Sequence, residues 1–171
     1  MKQNEEIIKI LINELKSRGL IKEKSNAFKN TEVLLYNYNV FKESIRLHNE
    51  QLQDLKDYGI PNKSKSITTM STNVRKIDKN DQIDSAIKNL EQQIYKIKVF
   101  LKHIDRILKE FKVDPYYQII ELKYFNNKTI DEIAEIMKKD TSTISRNKNR
   151  LINEIKVKLL PNEIISEIIN Y

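Results

Sequence analysis

Residues 115–160 read PYYQIIELKYFNNKTIDEIAEIMKKDTSTISRNKNRLINEIKVKLL, and this stretch decides the fold. Its apolar residues predict three short helices. The first covers about 115–125, with Ile119, Ile120, Leu122 and Phe125 as its apolar residues. Asn126-Asn127-Lys128 forms a turn, and Thr129 followed by Glu132 makes a capping box for a second helix that buries Ile130, Ile133, Ala134 and Met137. Lys138 to Thr141 supplies a second turn, capped by Asp140 or Thr141. The third helix buries Ile144, Leu151, Ile155 and Leu159. Two short helices that cross steeply need a small residue where they touch, and Ala134 stands at that place. The spacing is that of a helix-turn-helix, whose last helix presents its N-terminal half to a major groove. Here that half offers Thr141, Ser142, Thr143, Ser145, Arg146, Asn147, Lys148, Asn149 and Arg150. Hydroxyl, amide and guanidinium groups are the types that read base edges or hold phosphates.

Upstream, Asp114-Pro115 marks a boundary, because proline disfavours helical geometry at the residue before it and suits the first turn of a new helix. The division expected is an N-terminal helical domain over 1–113 and a DNA-binding domain over 114–171. Within the first, residues 3–17 form an amphipathic helix stopped by Gly19, and 20–30 form a connector. A long helix over 31–57, capped by Asn30 or Thr31, carries Leu34, Tyr38, Phe41, Ile45, His48, Leu52 and Leu55 in alternating steps of four and three. Residues 58–81 lack any helical period and read as an exposed loop. A third helix over 82–111 repeats the same alternation from Ile83 to Phe111. Two heptad helices joined by a loop fold back most simply as an antiparallel, coiled-coil-like hairpin; pairing between chains, as in a homodimer, also satisfies the seam. The fold class expected is therefore all-α, a long helical hairpin followed by a three-helix helix-turn-helix unit.

Composition narrows the chemistry. The chain has 171 residues, no cysteine, two histidines and two glycines. That leaves no disulfide scaffold, zinc finger or iron–sulfur cluster, and no glycine-rich phosphate loop. His48 lies on the heptad seam and His103 has no spaced partner, so no metal or other cofactor is expected. Asp131-Glu132 is better placed to cap a helix than to do acid–base work, and no constellation supports an enzyme or a small-molecule substrate. The charged, amphipathic first residues are not a signal peptide, and no apolar run is long enough to span a membrane; a cytoplasmic protein is expected. The net charge of +7 is unevenly spread: 138–160 holds seven basic and two acidic side chains, a local +5, while 58–113 carries +6.

TIDEIAEIMKKDTSTISRNKNRLINEI resembles the DNA-reading helix-turn-helix in the fourth conserved region of sigma-70-type factors. The layout, with MSTNVRKIDKNDQIDSAIKNLEQQI before a long helix and ELKYFNNKTIDEIA after it, resembles phage-encoded sigma-like transcription regulators of the ArpU and RinA kind. One departure is visible: the turn of that pattern usually carries a glycine followed by a buried aliphatic residue, and Lys138-Lys139 occupy those places. The resemblance implies control of phage genes by binding double-stranded DNA, with RNA polymerase as a further partner. On the residues, Arg146 is expected to reach a base edge with Thr141, Ser142, Ser145 and Asn149 beside it, while Lys128, Thr129, Thr143, Lys148 and Arg150 hold phosphates. Two other readings share the pattern. One is a DNA-packaging recognition subunit of the phage terminase small-subunit type, although its usual order of domains is the reverse. The other is a helical interaction module with little DNA contact. The tail 161–171, PNEIISEIINY, carries an isoleucine stripe that either covers the helix-turn-helix core or joins a second copy.

Overall fold

A computed structural model describes residues 2–19, 27–59 and 79–161. Every element among them is helical: α1 (Lys2–Ser17), α2 (Ala27–Tyr36), α3 (Tyr38–Tyr58), α4 (Lys79–Phe111), α5 (Gln118–Ile120), α6 (Ile130–Met137) and α7 (Thr141–Leu159), with α5 running on as a π-helical turn over Glu121–Phe125. No described helix is long and apolar enough to cross a membrane. The loop expected over 58–81 lies outside the described residues from 60 to 78, and the isoleucine stripe of the tail lies outside them as well.

The seam residues of α3 and α4 meet in antiparallel order. The Tyr38 hydroxyl donates to Asp105, and the Phe41 and Phe100 rings meet edge to face at 5.6 Å. Farther along, Lys56 lies 3.6 Å from Glu91, and Gly59, at φ +70°, comes against the Ile83 side chain. At the base of this arm Phe100, Leu101, Ile104 and Leu108 are buried, because α1 lies on α4 there through Ile8, Leu11 and Leu15. Toward the tip Ile45, His48, Leu52 and Leu55 are only half-buried. On the α4 side Leu90 and Ile94 remain buried, so among the described elements the α4 side of the seam is the better shielded.

Several expected boundaries shift, among them that of the helix expected over 115–125, which begins at Gln118 rather than at Pro115 and turns π-helical from Glu121. The helix expected over 31–57 begins at Ala27 and breaks at Asn37, whose side-chain amide donates to the Val33 carbonyl at 2.8 Å and whose ψ is 2°. The break releases α2 from the seam, so that Leu34 and Leu35 are buried and α2 packs on α7. Asn30 and Thr31 are therefore not caps. Both are buried within α2, and the Thr31 hydroxyl is satisfied by the Ala27 carbonyl at 2.8 Å. The helix expected from 82 starts at Lys79, which puts Asp81 in the first turn, where the helix dipole favours a carboxylate.

One hydrophobic cluster joins most of the described elements, α6 excepted. It joins Leu11 of α1, Leu34 and Leu35 of α2, Phe100 and Ile104 of α4, Tyr117 and Tyr124 around α5, and Leu151, Ile152, Ile155 and Leu159 of α7. Residues on both sides of Asp114-Pro115 thus share it. A second, smaller cluster of Ile119, Ile133, Ala134 and Ile144 holds α5, α6 and the start of α7 together. The large cluster fixes the C-terminal half of α7, and the small one sets the angle at which its N-terminal half leaves the body.

Candidate nucleic-acid interface

The capping box at the start of α6 is complete. Thr129 Oγ1 accepts from the Glu132 backbone N–H at 3.2 Å, and Glu132 Oε2 accepts from the Thr129 N–H at 2.7 Å. Lys128 donates to the other Glu132 oxygen at 2.8 Å. That lysine first, and the Thr129 N–H second, hold the Glu132 carboxyl down at about 2. A depressed carboxyl contributes stability that is full above its unfolded value and is lost as pH falls from there toward about 2. Replacing Thr129 by alanine removes the cap and is expected to cost about 1 kcal/mol, read from a urea melt.

The turn between α6 and α7 solves the missing-glycine problem with a lysine. Lys138 sits in the left-handed region at φ 52°. The Lys139 N–H reaches the Ala134 carbonyl at 3.0 Å and the Lys138 N–H reaches Glu135 at 3.2 Å, the paired bonds that end a helix in a Schellman turn. Lys139, in the place of a buried aliphatic, is exposed. A β-carbon in the left-handed region costs about 1–2 kcal/mol, of which glycine's greater unfolded freedom returns a part. Lys138→Gly is therefore expected to stabilise the protein by about 1 kcal/mol, seen as a higher melting temperature.

Ile144, Leu151, Ile152 and Ile155 line the inward face of α7. On the outward face Thr141, Ser142, Arg146 and Asn149 are exposed and Ser145 is half-buried. None of these five side chains makes a hydrogen bond or ion pair with another described residue. Ser142, Ser145, Arg146 and Asn149 follow i, i+3, i+4, i+7 and form one stripe. All the residues expected to read bases are thus brought to one surface.

The residues expected to hold phosphates are differently placed. Lys148 lies 2.9 Å from Glu32 of α2, with the two side chains only 17% and 23% exposed. The Tyr124 hydroxyl donates to the same Glu32 oxygen at 2.7 Å. Burial first, and this bond second, push the Tyr124 phenol well above its ordinary range. Arg150 pairs with Asp114 at 2.9 Å and with Glu154 at 3.1 Å, and Asp114 first of all raises its already high pKa. Lys128 is committed to Glu132, and Thr129 to its cap. Thr143 is half-buried, its carbonyl accepting from Asn147 at 3.0 Å. The sequence itself carried a signal for Lys148. It stands four residues after Ile144 and three before Leu151, on the inward stripe of α7, so its ammonium had to meet an acid inside.

Lys138 and Lys139, not among the residues expected to touch DNA, are exposed and have no partner among the described residues. Asp131, Glu135 and Asp140 line the same shallow depression between α6 and α7. The charge beside the turn is therefore mixed, and Arg146 is the cation that stands clear of it on the outward stripe. Elsewhere His48 Nδ1 lies 2.7 Å from the Ser44 carbonyl of its own helix, and Arg106 lies 3.2 Å from His103 Nδ1. Among the described residues no group of three or more histidine, aspartate and glutamate side chains is placed to hold a metal ion. Comparison with family models, with curated proteins and with solved structures gave no match.

Proposed function

We propose that the chain is a sequence-specific, double-stranded-DNA-binding transcription regulator in which α6, its turn and α7 act as a helix-turn-helix. The observation that carries this reading is the outward stripe of α7, where Ser142, Ser145, Arg146 and Asn149 keep their donors and acceptors unspent while the opposite face is fully buried. Arg146 is the base-reading group, a guanidinium matching the two acceptors on a guanine edge, with Thr141, Ser142, Ser145 and Asn149 beside it. Lys138, Lys139 and Thr143 serve the phosphates. Lys128, Lys148 and Arg150 already pair with Glu132, Glu32 and Asp114, which offset their charge, so they attract phosphate less than an unpaired cation does.

The reading extends to sigma-like control of phage genes, with RNA polymerase met through the α3–α4 arm and a homodimer as a further arrangement. The test is to sequence the DNA fragments selected by purified full-length protein. One enriched motif supports the reading; recovery of all fragments in proportion to input defeats it. A second reading, a protein-interaction module with weak DNA contact, is favoured by the apolar side chains the arm turns outward, Val40, Leu47 and Tyr95, each more than half exposed. Gel shifts with and without polymerase separate the two.

A further inference from the structure

A cavity of about 630 Å³ lies between α1, α4 and the end of α7. Ile8 and Leu159 at its wall are buried and Ile12 is half-buried, so its floor is apolar. Lys9, Lys16 and Arg106 also line it, and its described lining holds no carboxylate. Pro161, the last described residue, is part of the same wall. The remaining segment is NEIISEIINY, residues 162–171. Its Ile164, Ile165, Ile168 and Ile169 have helical spacing, Glu163 and Glu167 stand one turn apart, and it contains no lysine or arginine. Lengths agree as well. At 1.5 Å per residue the cavity's stretch of α1 from Ile8 to Lys16 spans about 12 Å, and the isoleucine stripe about 8 Å.

We propose that residues 162–171 dock into this cavity of their own chain, isoleucines on the apolar floor and Glu163 and Glu167 toward Lys9, Lys16 and Arg106. Apolar side chains that would otherwise face water then close the core beneath α1, whose main described packing partner is α4 alone. Attachment at Pro161 favours the chain's own segment over a second copy, because the tether keeps its effective concentration high. This docking is independent of what α7 reads.

The absence of cysteine makes the test direct. Full-length protein carrying Asn13→Cys with Ile168→Cys is treated with a short bismaleimide. Asn13 lines the cavity, whereas Ile10, 47% exposed, does not, so Ile10→Cys with Ile168→Cys is the control. The expected result is a cross-link within one chain for the first pair and little for the second. No cross-link, equal yields from the two pairs, or cross-links only between chains overturn the proposal. A second measurement uses full-length Ile165→Asp/Ile168→Asp. Amide exchange over residues 8–16 is expected to quicken at least tenfold, with α6 unaffected. A rise there no larger than in α6 overturns it.

Discussion

Arg146→Ala is expected to weaken binding to a selected duplex by about 5- to 150-fold, equivalent to about 1–3 kcal/mol, and to relax base choice at one position of the site. The side chain is exposed and makes no bond to another described residue. Its removal should therefore leave the melting temperature nearly where it was, as surface substitutions do within about 0.5 kcal/mol. Affinity and stability separate cleanly at this position, and that separation is the discriminating result. The measurement is fluorescence anisotropy at fixed salt against the selected duplex and single-base variants of it. Equal binding of wild type and variant to every duplex would remove Arg146 from the reading role. Lys139→Ala gives the complementary behaviour: all duplexes weakened alike, with the slope of log affinity against log salt flatter by about one.

Glu32→Ala should act in the opposite sense, on stability first. It strips one acceptor from two donors at once, the Lys148 ammonium at 2.9 Å and the Tyr124 hydroxyl at 2.7 Å. Removing one partner of a fully buried ion pair costs about 3–5 kcal/mol. Side-chain exposures of 17% and 23% admit some water, so about 2 kcal/mol is expected here. For a chain of this size that lowers the melting temperature by roughly 4–8 °C. The triple variant Glu32→Leu/Tyr124→Phe/Lys148→Met leaves neither an orphaned charge nor an orphaned hydroxyl and should recover most of the loss, because apolar side chains of similar volume replace the network without the cost of desolvating it. A single variant that melts with the wild type would show that the network contributes nothing. Lys148→Ala belongs with this prediction rather than with the DNA contacts, since it too orphans a charge.

What could be read along the chain and what could not divide by distance in sequence. Thr129 and Glu132 are three residues apart, and their capping box is local chemistry that the sequence states outright. Ala134 with Ile133 and Ile144 is nearly as local, and these residues meet in the small cluster as the spacing requires. The base-reading candidates share a surface because helical period alone puts them there. The break at Asn37 was hidden, since the seam steps from Leu34 to Tyr38 without interruption. What it permits, the packing of α2 on α7, involves residues more than a hundred positions later. The Glu32–Lys148 pair likewise spans 116 positions. The expectation that Lys148 holds phosphate rests on its residue type, whereas its pairing with Glu32 comes from its place on the inward stripe. The Lys138 conformation was concealed for a related reason: side-chain type argues against a left-handed backbone, and only the two closing bonds to Ala134 and Glu135 reveal it.

The cluster that runs across Asp114-Pro115 has a mechanical meaning. α4, at 33 residues, is a rod about 50 Å long. Its last turns are set in the same block as the rear half of α7. The arm tip and the outward stripe of α7 are therefore both carried on elements whose inner ends share one packed block. Under the proposed function, a partner held at the tip would stand at a set distance and rotation from the base pairs under Arg146. Moving that partner by a few base pairs would change its angle around the duplex rather than merely its reach, so spacing between two DNA elements would be measured by the protein itself.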